Sequence, residues 1–211
     1  MTVLAVDTST EHASLVLLKV GQALACGGLQ AARDGHSTQL FGEIQSLLRR
    51  AGAQLEDIDC FAAGAGPGSF TGVRVALAAV KGLAMALGKP MAAVSNLQAL
   101  AWFGESPLRA VVIDARRGDV YTGLYNAALE PVRPEMVTKL DAWLGSLPCE
   151  AEIITANPAL LAGHDLRLRV VDLQQMGRAI AHIAAGQLVD PALTDANYVR
   201  RADAEMNWVD R

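Results

Sequence analysis

A chain of 211 residues that is 52% hydrophobic and 19% charged can bury one large core or two smaller ones. Its net charge of −4, with no run of Lys and Arg, argues against gripping a nucleic-acid backbone alone, although sharing one with a basic partner stays open. Three widely spaced cysteines, Cys26, Cys60 and Cys149, fit a reducing compartment and exclude a disulfide framework or a CxxC zinc site. Aromatics make up only 5%, so the core must be built from Ala, Val and Leu. The start, MTVLAVDTST, has no cationic stretch before its apolar run. No window of about 18 uncharged apolar residues stands out. The expectation is a soluble cytosolic protein with no membrane partner.

The apolar β-type runs Thr2–Val6, Ala13–Val20 and Gln22–Leu29 predict a meander of strands. Leu40, Phe41, Ile44, Leu47, Leu48 and Ala51 recur at helical spacing, predicting a helix over 37–51 with Ser37 as cap and Gly52 as stop. A buried strand is expected over 59–65. The loop Gly64-Ala-Gly-Pro-Gly-Ser-Phe-Thr-Gly72 follows, then a helix over 71–87 stopped by Gly88 and Pro90. Met91–Val94 reads as a strand and Ser95 as the start of another helix, to about Phe103. The pattern then restarts. VLAVDTSTEHASLVLL (3–18) and AVVIDARRGDVYTGLY (110–125) are each an apolar run, an Asp, a polar turn and a second β run. This weak repeat predicts two lobes: a first over 1–106 and a smaller second over 107–190, with a tail over 191–211 returning toward the first. Within the second lobe, strands are expected near 134–138, 152–155 and 168–171, and helices near 139–147 and 174–188. The fold class is α/β.

Two stretches could carry chemistry. In the 64–72 loop, Gly66 and Gly68 allow close backbone approach, and the helix behind offers free N–H groups to an anion. The Gly-Lys-Ser/Thr end of a Walker A loop is missing, and Pro67 and Phe70 break a dinucleotide fingerprint. The loop is therefore either a phosphate cradle or a strand-to-helix corner capped by Ser69 or Thr71, and spacing favours the corner. Asp7-Thr8-Ser9-Thr10 ends the first strand, as sugar kinases and actin-like ATPases end theirs, with hydroxyls facing phosphates and the acid holding a metal-bound water. An ordinary polar turn has the same composition. Asp114 is the repeat's counterpart of Asp7. The four histidines show no i, i+4 pair and none lies near a Cys. HExxH, GxSxG and CxxC are absent, and no second Gly-rich turn near the C-terminus offers to hold an adenosine. On the 71–87 helix, Gly72, Ala76, Ala79, Gly82 and Ala86 share one face, with Arg74 and Lys81 roughly opposite. The polar stripe is thin, so this helix is either sandwiched in its lobe or meets another subunit.

Taken together, LAVDTST, AGAGPGSFTGVRVALAAVKGLA, PMAAVSNLQALA, VVIDARRGDVYTGLY and the late NYVRRADAE resemble the TsaB (YeaZ) family, with GPGSFTGVR the most specific piece. The resemblance implies a two-lobed actin-like, Hsp70-like (ASKHA, ribonuclease H-like) fold with a reduced second lobe. It implies the smaller, non-catalytic subunit of the bacterial machinery that makes threonylcarbamoyladenosine on tRNA. Its partners would be a catalytic TsaD-type paralogue and a TsaE-type ATPase, with tRNA held mainly through the complex and a homodimer open when the chain is alone. The catalytic paralogue carries a metal motif N-H-x-E-G-H after the strand corresponding to Met91–Val94. Here that stretch reads Ser95-Asn96-Leu97-Gln98-Ala99-Leu100, with both histidines replaced.

The resemblance implies no catalytic residue and no metal in this chain. No cofactor is assigned to it, and ATP or ADP at the subunit junction stays open. In this family the first-lobe helices form a bundle with another subunit, which nominates Leu40, Phe41, Ile44, Leu48, Gly72, Arg74, Ala76, Ala79, Lys81 and Gly82 as interface. Ala76→Arg is then expected to abolish partner binding and leave the monomer folded. Asp7, Thr8, Ser9, Thr10, Gly66, Gly68, Ser69, Thr71 and Asp114 become a vestigial phosphate-loop set. The rival from another class is a working ATPase or small-molecule kinase with Asp7 and Asp114 in metal and phosphate roles. A peptidase lacks any metal or nucleophile constellation.

Overall fold

The computed structural model describes residues 1–19, 22–30, 37–197 and 199. Most of NYVRRADAE and of the expected tail lies outside them. Strands β1 (Thr2–Asp7), β2 (His12–Lys19) and β3 (Gln22–Gln30) form an antiparallel meander. β4 (Cys60–Gly64) pairs parallel with β1, and β5 (Met91–Val94) parallel with β4, giving the order β3-β2-β1-β4-β5. The second sheet repeats that plan. β6 (Leu108–Asp114), β7 (Asp119–Asn126) and β8 (Pro131–Lys139) form its meander. β9 (Glu152–Thr155) pairs parallel with β6, and β10 (Leu168–Val170) parallel with β9, in the order β10-β9-β6-β7-β8. This is the ribonuclease H-like arrangement present twice, and Asp7 and Asp114 end equivalent strands.

Helices α1 (Leu40–Ala51) and α2 (Phe70–Leu87) cover one face of the first sheet with Leu4, Val6, Leu15, Leu17, Phe61 and Ala63. On its other face lie α3 (Asn96–Ala101) and α5 (Met176–Ala184), in a core shared with Val111, Tyr125 and Ile154 of the second sheet. The short α4 (Leu140–Leu144) packs Trp143 against the far side of the second sheet. α5 falls within the 107–190 span of the second lobe in sequence, yet it packs on β1, β2, β4 and β5 of the first sheet.

Element ends differ from the sequence pattern for local reasons. α1 begins at Leu40, the first buried position, and Ser37 does not cap it; its cap Gln39 offers no side-chain bond. β8 starts at Pro131, before the expected 134, because an edge strand tolerates residues that cannot donate. α5 stops at Ala184, since the chain must be extended by Val189 to bridge Met91. By length and composition alone α2 could cross a bilayer. Its Gly72, Val73, Ala76, Leu77, Ala79, Val80 and Ala84 are instead packed on the sheet.

Candidate functional site

The strand ends of both sheets open onto one cleft of about 900 Å³. Thr8, Ser9, Thr10, Gly68, Ser69, Thr71 and Gly72 line one wall, and Asp114 and Arg116 the other. Asp7 and Gly66 stand behind that wall, and Asp7 is fully buried. The structure therefore gathers most of the phosphate-loop set and separates Asp114 from Asp7.

The β1–β2 turn and the 65–72 loop are bonded to each other. Thr8 Oγ1 donates to the Gly72 carbonyl at 2.6 Å, and Ser69 N donates to the Ser9 carbonyl at 2.7 Å. Asn96 Nδ2 donates to Ser9 Oγ at 2.6 Å, and Asn96 N donates to the Gly66 carbonyl at 2.8 Å. Gly66 N donates back to Asn96 Oδ1 at 3.4 Å. Asp7 Oδ1 accepts from Ser9 N at 3.1 Å. Ser69 caps α2, its Oγ accepting from Gly72 N at 3.3 Å. Thr10 closes its own turn, its hydroxyl donating to the His12 carbonyl at 2.8 Å. The Thr8 hydroxyl and the backbone N–H groups of Ser9, Gly66, Ser69 and Gly72, which would meet a phosphate, are thus engaged within the protein.

The glycines answer to backbone crowding. A Cβ on Gly72 would lie 1.9 Å from the Thr8 carbonyl oxygen, and one on Gly68 2.7 Å from Ser9 Cβ. Gly64 passes the buried acid so closely that a Cβ would lie 2.5 Å from Asp7 Oδ1 and 2.7 Å from Asn96 Oδ1. The Gly66–Pro67 peptide is cis. Asn96, which joins turn to loop, is legible in the sequence only as the replacement of a histidine. Its role depends on contacts far along the chain, and no local signal marks it.

Across the cleft, Asp114 Oδ1 accepts from Arg116 N at 2.7 Å. Arg116, Arg117 and Gly118 follow with φ of 67°, 55° and 77°, a tight left-handed run between β6 and β7. Among the described residues, no three His, Cys, Asp or Glu side chains come together as a metal site.

The nominated interface residues divide sharply. Leu40, Ile44, Leu48, Gly72, Ala76 and Ala79 are buried against this chain's own sheet. Gly72, Ala76 and Ala79 of the small-residue face thus turn inward, because close approach is what small side chains permit, whereas Gly82 and Ala86 of the same face are exposed. Phe41, Arg74 and Gly82 are exposed and Lys81 half-buried. With Phe70, Ala78 and Met85 they form a stripe of aromatic, small and flexible residues, on which Arg74 lies 3.6 Å above the Phe70 ring.

A family model described as TsaD, tRNA N6-adenosine threonylcarbamoyltransferase, matches residues 29–191. The tRNA threonylcarbamoyladenosine biosynthesis protein TsaB of Bacillus subtilis is 31% identical over 232 aligned positions, covering 100% of this chain and 99% of that protein. The Escherichia coli protein of the same description is 37% identical over 129 positions, covering 59% of this chain and 55% of that one. Among solved structures, YeaZ from Pseudomonas aeruginosa superposes with a TM-score of 0.77 at 30% identity, covering 93% of this chain and 99% of that one.

Proposed function

Since the chain belongs to the TsaB (YeaZ) family and so to threonylcarbamoyladenosine modification of tRNA, we propose that it acts there as a non-catalytic activating scaffold. In this reading a TsaD-type paralogue transfers threonylcarbamoyl from its adenylate to the adenosine beside the anticodon, in tRNAs reading codons that begin with A. A TsaE-type ATPase assists, tRNA is held mainly by the partner, and the assembly works in the cytoplasm. The observation that carries the reading is the occupied corner. The turn and loop that hold phosphate in working ATPases of this plan spend donors within the protein: Thr8 Oγ1 on the Gly72 carbonyl, Ser69 N on the Ser9 carbonyl and Gly66 N on Asn96 Oδ1.

The partner face is the outward stripe Phe70, Arg74, Ala78, Lys81, Gly82 and Met85 of α2, with Phe41 of α1. Ala78 and Gly82 leave room for a second helix to approach, and Phe41, Phe70 and Met85 supply apolar area. The lobes are 1–106 and 107–190, with α5 lent back to the first.

Size-exclusion chromatography with light scattering, on the chain alone and mixed with the TsaD-type paralogue, tests the scaffold reading. A peak at the heterodimer mass is expected, together with loss of tRNA modification when this chain is omitted from a reconstituted reaction. Failure to bind the paralogue sinks it. The ATPase reading draws on the cleft itself, which places Asp114 and Arg116 opposite the α2 N-terminus. ATP turnover by the isolated chain that is abolished in Asp7→Asn would establish it.

A further inference from the structure

Three donors from three separate parts of the chain converge on one carboxylate. Glu135 lies on β8, the edge strand of the second sheet. Its Oε1 accepts the hydroxyl of Ser95, the cap of α3, and the hydroxyl of Tyr125 on β7 at 2.5 Å. Its Oε2 accepts from Asn197 Nδ2 at 2.6 Å. Burial, and then the Glu135 charge, hold the Tyr125 phenol far above its ordinary pKa, so it stays a donor.

Each partner has a second task. Ser95 Oγ accepts from Leu97 N at 3.2 Å and so starts α3, whose first residue, Asn96, clamps Ser9 and Gly66. Asn197 N donates to the Ala65 carbonyl at 2.8 Å, one residue before Gly66. Asn197 also ends a strap of chain laid along α2. That strap starts where Val189 N donates to the Met91 carbonyl at 2.8 Å. Midway, Lys81 Nζ donates to the Thr194 carbonyl at 3.2 Å, and Ala196 packs into the first core.

We propose that Glu135 is a positioning residue, a latch through which the second sheet pins the 189–197 strap to the 65–72 corner. Among the described residues, the Asn197 end of the strap donates to this carboxylate and to the Ala65 carbonyl. Charge-assisted bonds of this kind are stronger than neutral ones, so the latch dominates at that end. It lies outside the cleft wall and concerns the isolated chain, so it holds whether or not the scaffold reading does.

Amide hydrogen exchange on the isolated full chain tests the latch. Asn197→Asp sets a second carboxylate against Glu135. Exchange over residues 192–197 is expected to rise about tenfold, with α1 residues 44–48 unchanged as the reporter of global stability. Adding Glu135→Gln to Asn197→Asp lets a Gln amide donate to the new carboxylate, and protection is expected to return. The proposal is overturned if Asn197→Asp exchanges like the unmodified chain, if exchange rises equally in α1, or if the double variant is no better protected than the single one.

Discussion

Gly72 is fixed by a carbonyl. A methyl there would sit 1.9 Å from the Thr8 oxygen, so the turn or the helix would have to move and its bonds to Thr8 and Ser69 would be lost. Gly72→Ala is expected to lower stability by about 1–3 kcal/mol in urea unfolding, within the range for overpacking. Gly82, in the same helix, has nothing within 4 Å of its virtual Cβ, and Gly82→Ala should gain about 0.5–1 kcal/mol. Equal effects at the two sites would refute the crowding argument. Glu152 is held by three donors at once. It is buried, which pushes its pKa up, but the backbone N–H groups of Ser106 and Glu105 and the Arg169 guanidinium outweigh burial and hold it below its ordinary 4.5. The unfolded chain then takes up a proton first on acidification. The carboxylate's contribution is full above about pH 4.5 and fades below it. Glu152→Gln should flatten that acid limb and be less stable at pH 7.

At the scale of the element, α2 decides the interface by which way it faces. Small residues line both sides, Gly72, Ala76 and Ala79 inward and Ala78 and Gly82 outward. Ala76 is fully buried, so Ala76→Arg forces an unpaired charge into the first core. That costs several kcal/mol, about the whole stability of a domain. The expected outcome is an unfolded chain, which replaces the expectation of a folded monomer that cannot bind. Ala78→Arg on the exposed side should keep the circular-dichroism melt within about 2 °C and, under the scaffold reading, abolish the heterodimer peak. A folded Ala78→Arg chain that still binds would move the interface away from this stripe.

At the scale of the whole molecule, α3 and α5 fill the core shared by two copies of one sheet plan. Trp102 just past α3 stacks on His182 of α5, with ring centroids 5.0 Å apart and 16° between planes. Burial, and then Arg178, keep the His182 pKa below its usual 6.5. The unfolded chain therefore protonates first as pH falls, and stability is complete above pH 6.5 and declines below it. His182→Gln should remove that part of the decline below pH 6.5 in thermal melts, whereas an unchanged slope would place the pH sensitivity elsewhere.

Much of this was legible in the residues. Met91–Val94 and Glu152–Thr155 match their strands, Gly88 stops α2, and Ser69 and Ser95 cap their helices. The Asp7 and Asp114 repeat marked two equivalent strand ends with almost no shared identity. These features are local: periodicity, caps and turns act within a few residues, so the sequence alone determines them. The family motifs lie in the same stretches. The tertiary structure alone decided what depends on distance along the chain. Thr8 meets Gly72 across 64 residues, Ser9 meets Asn96 across 87, and Glu135 meets Asn197 across 62. A helix with small residues on both sides carries no internal sign of which side the sheet will take. Only packing against β4 and β1 turned Ala76 inward, left Ala78 outside, and bonded the glycine loop to the β1–β2 turn and Asn96.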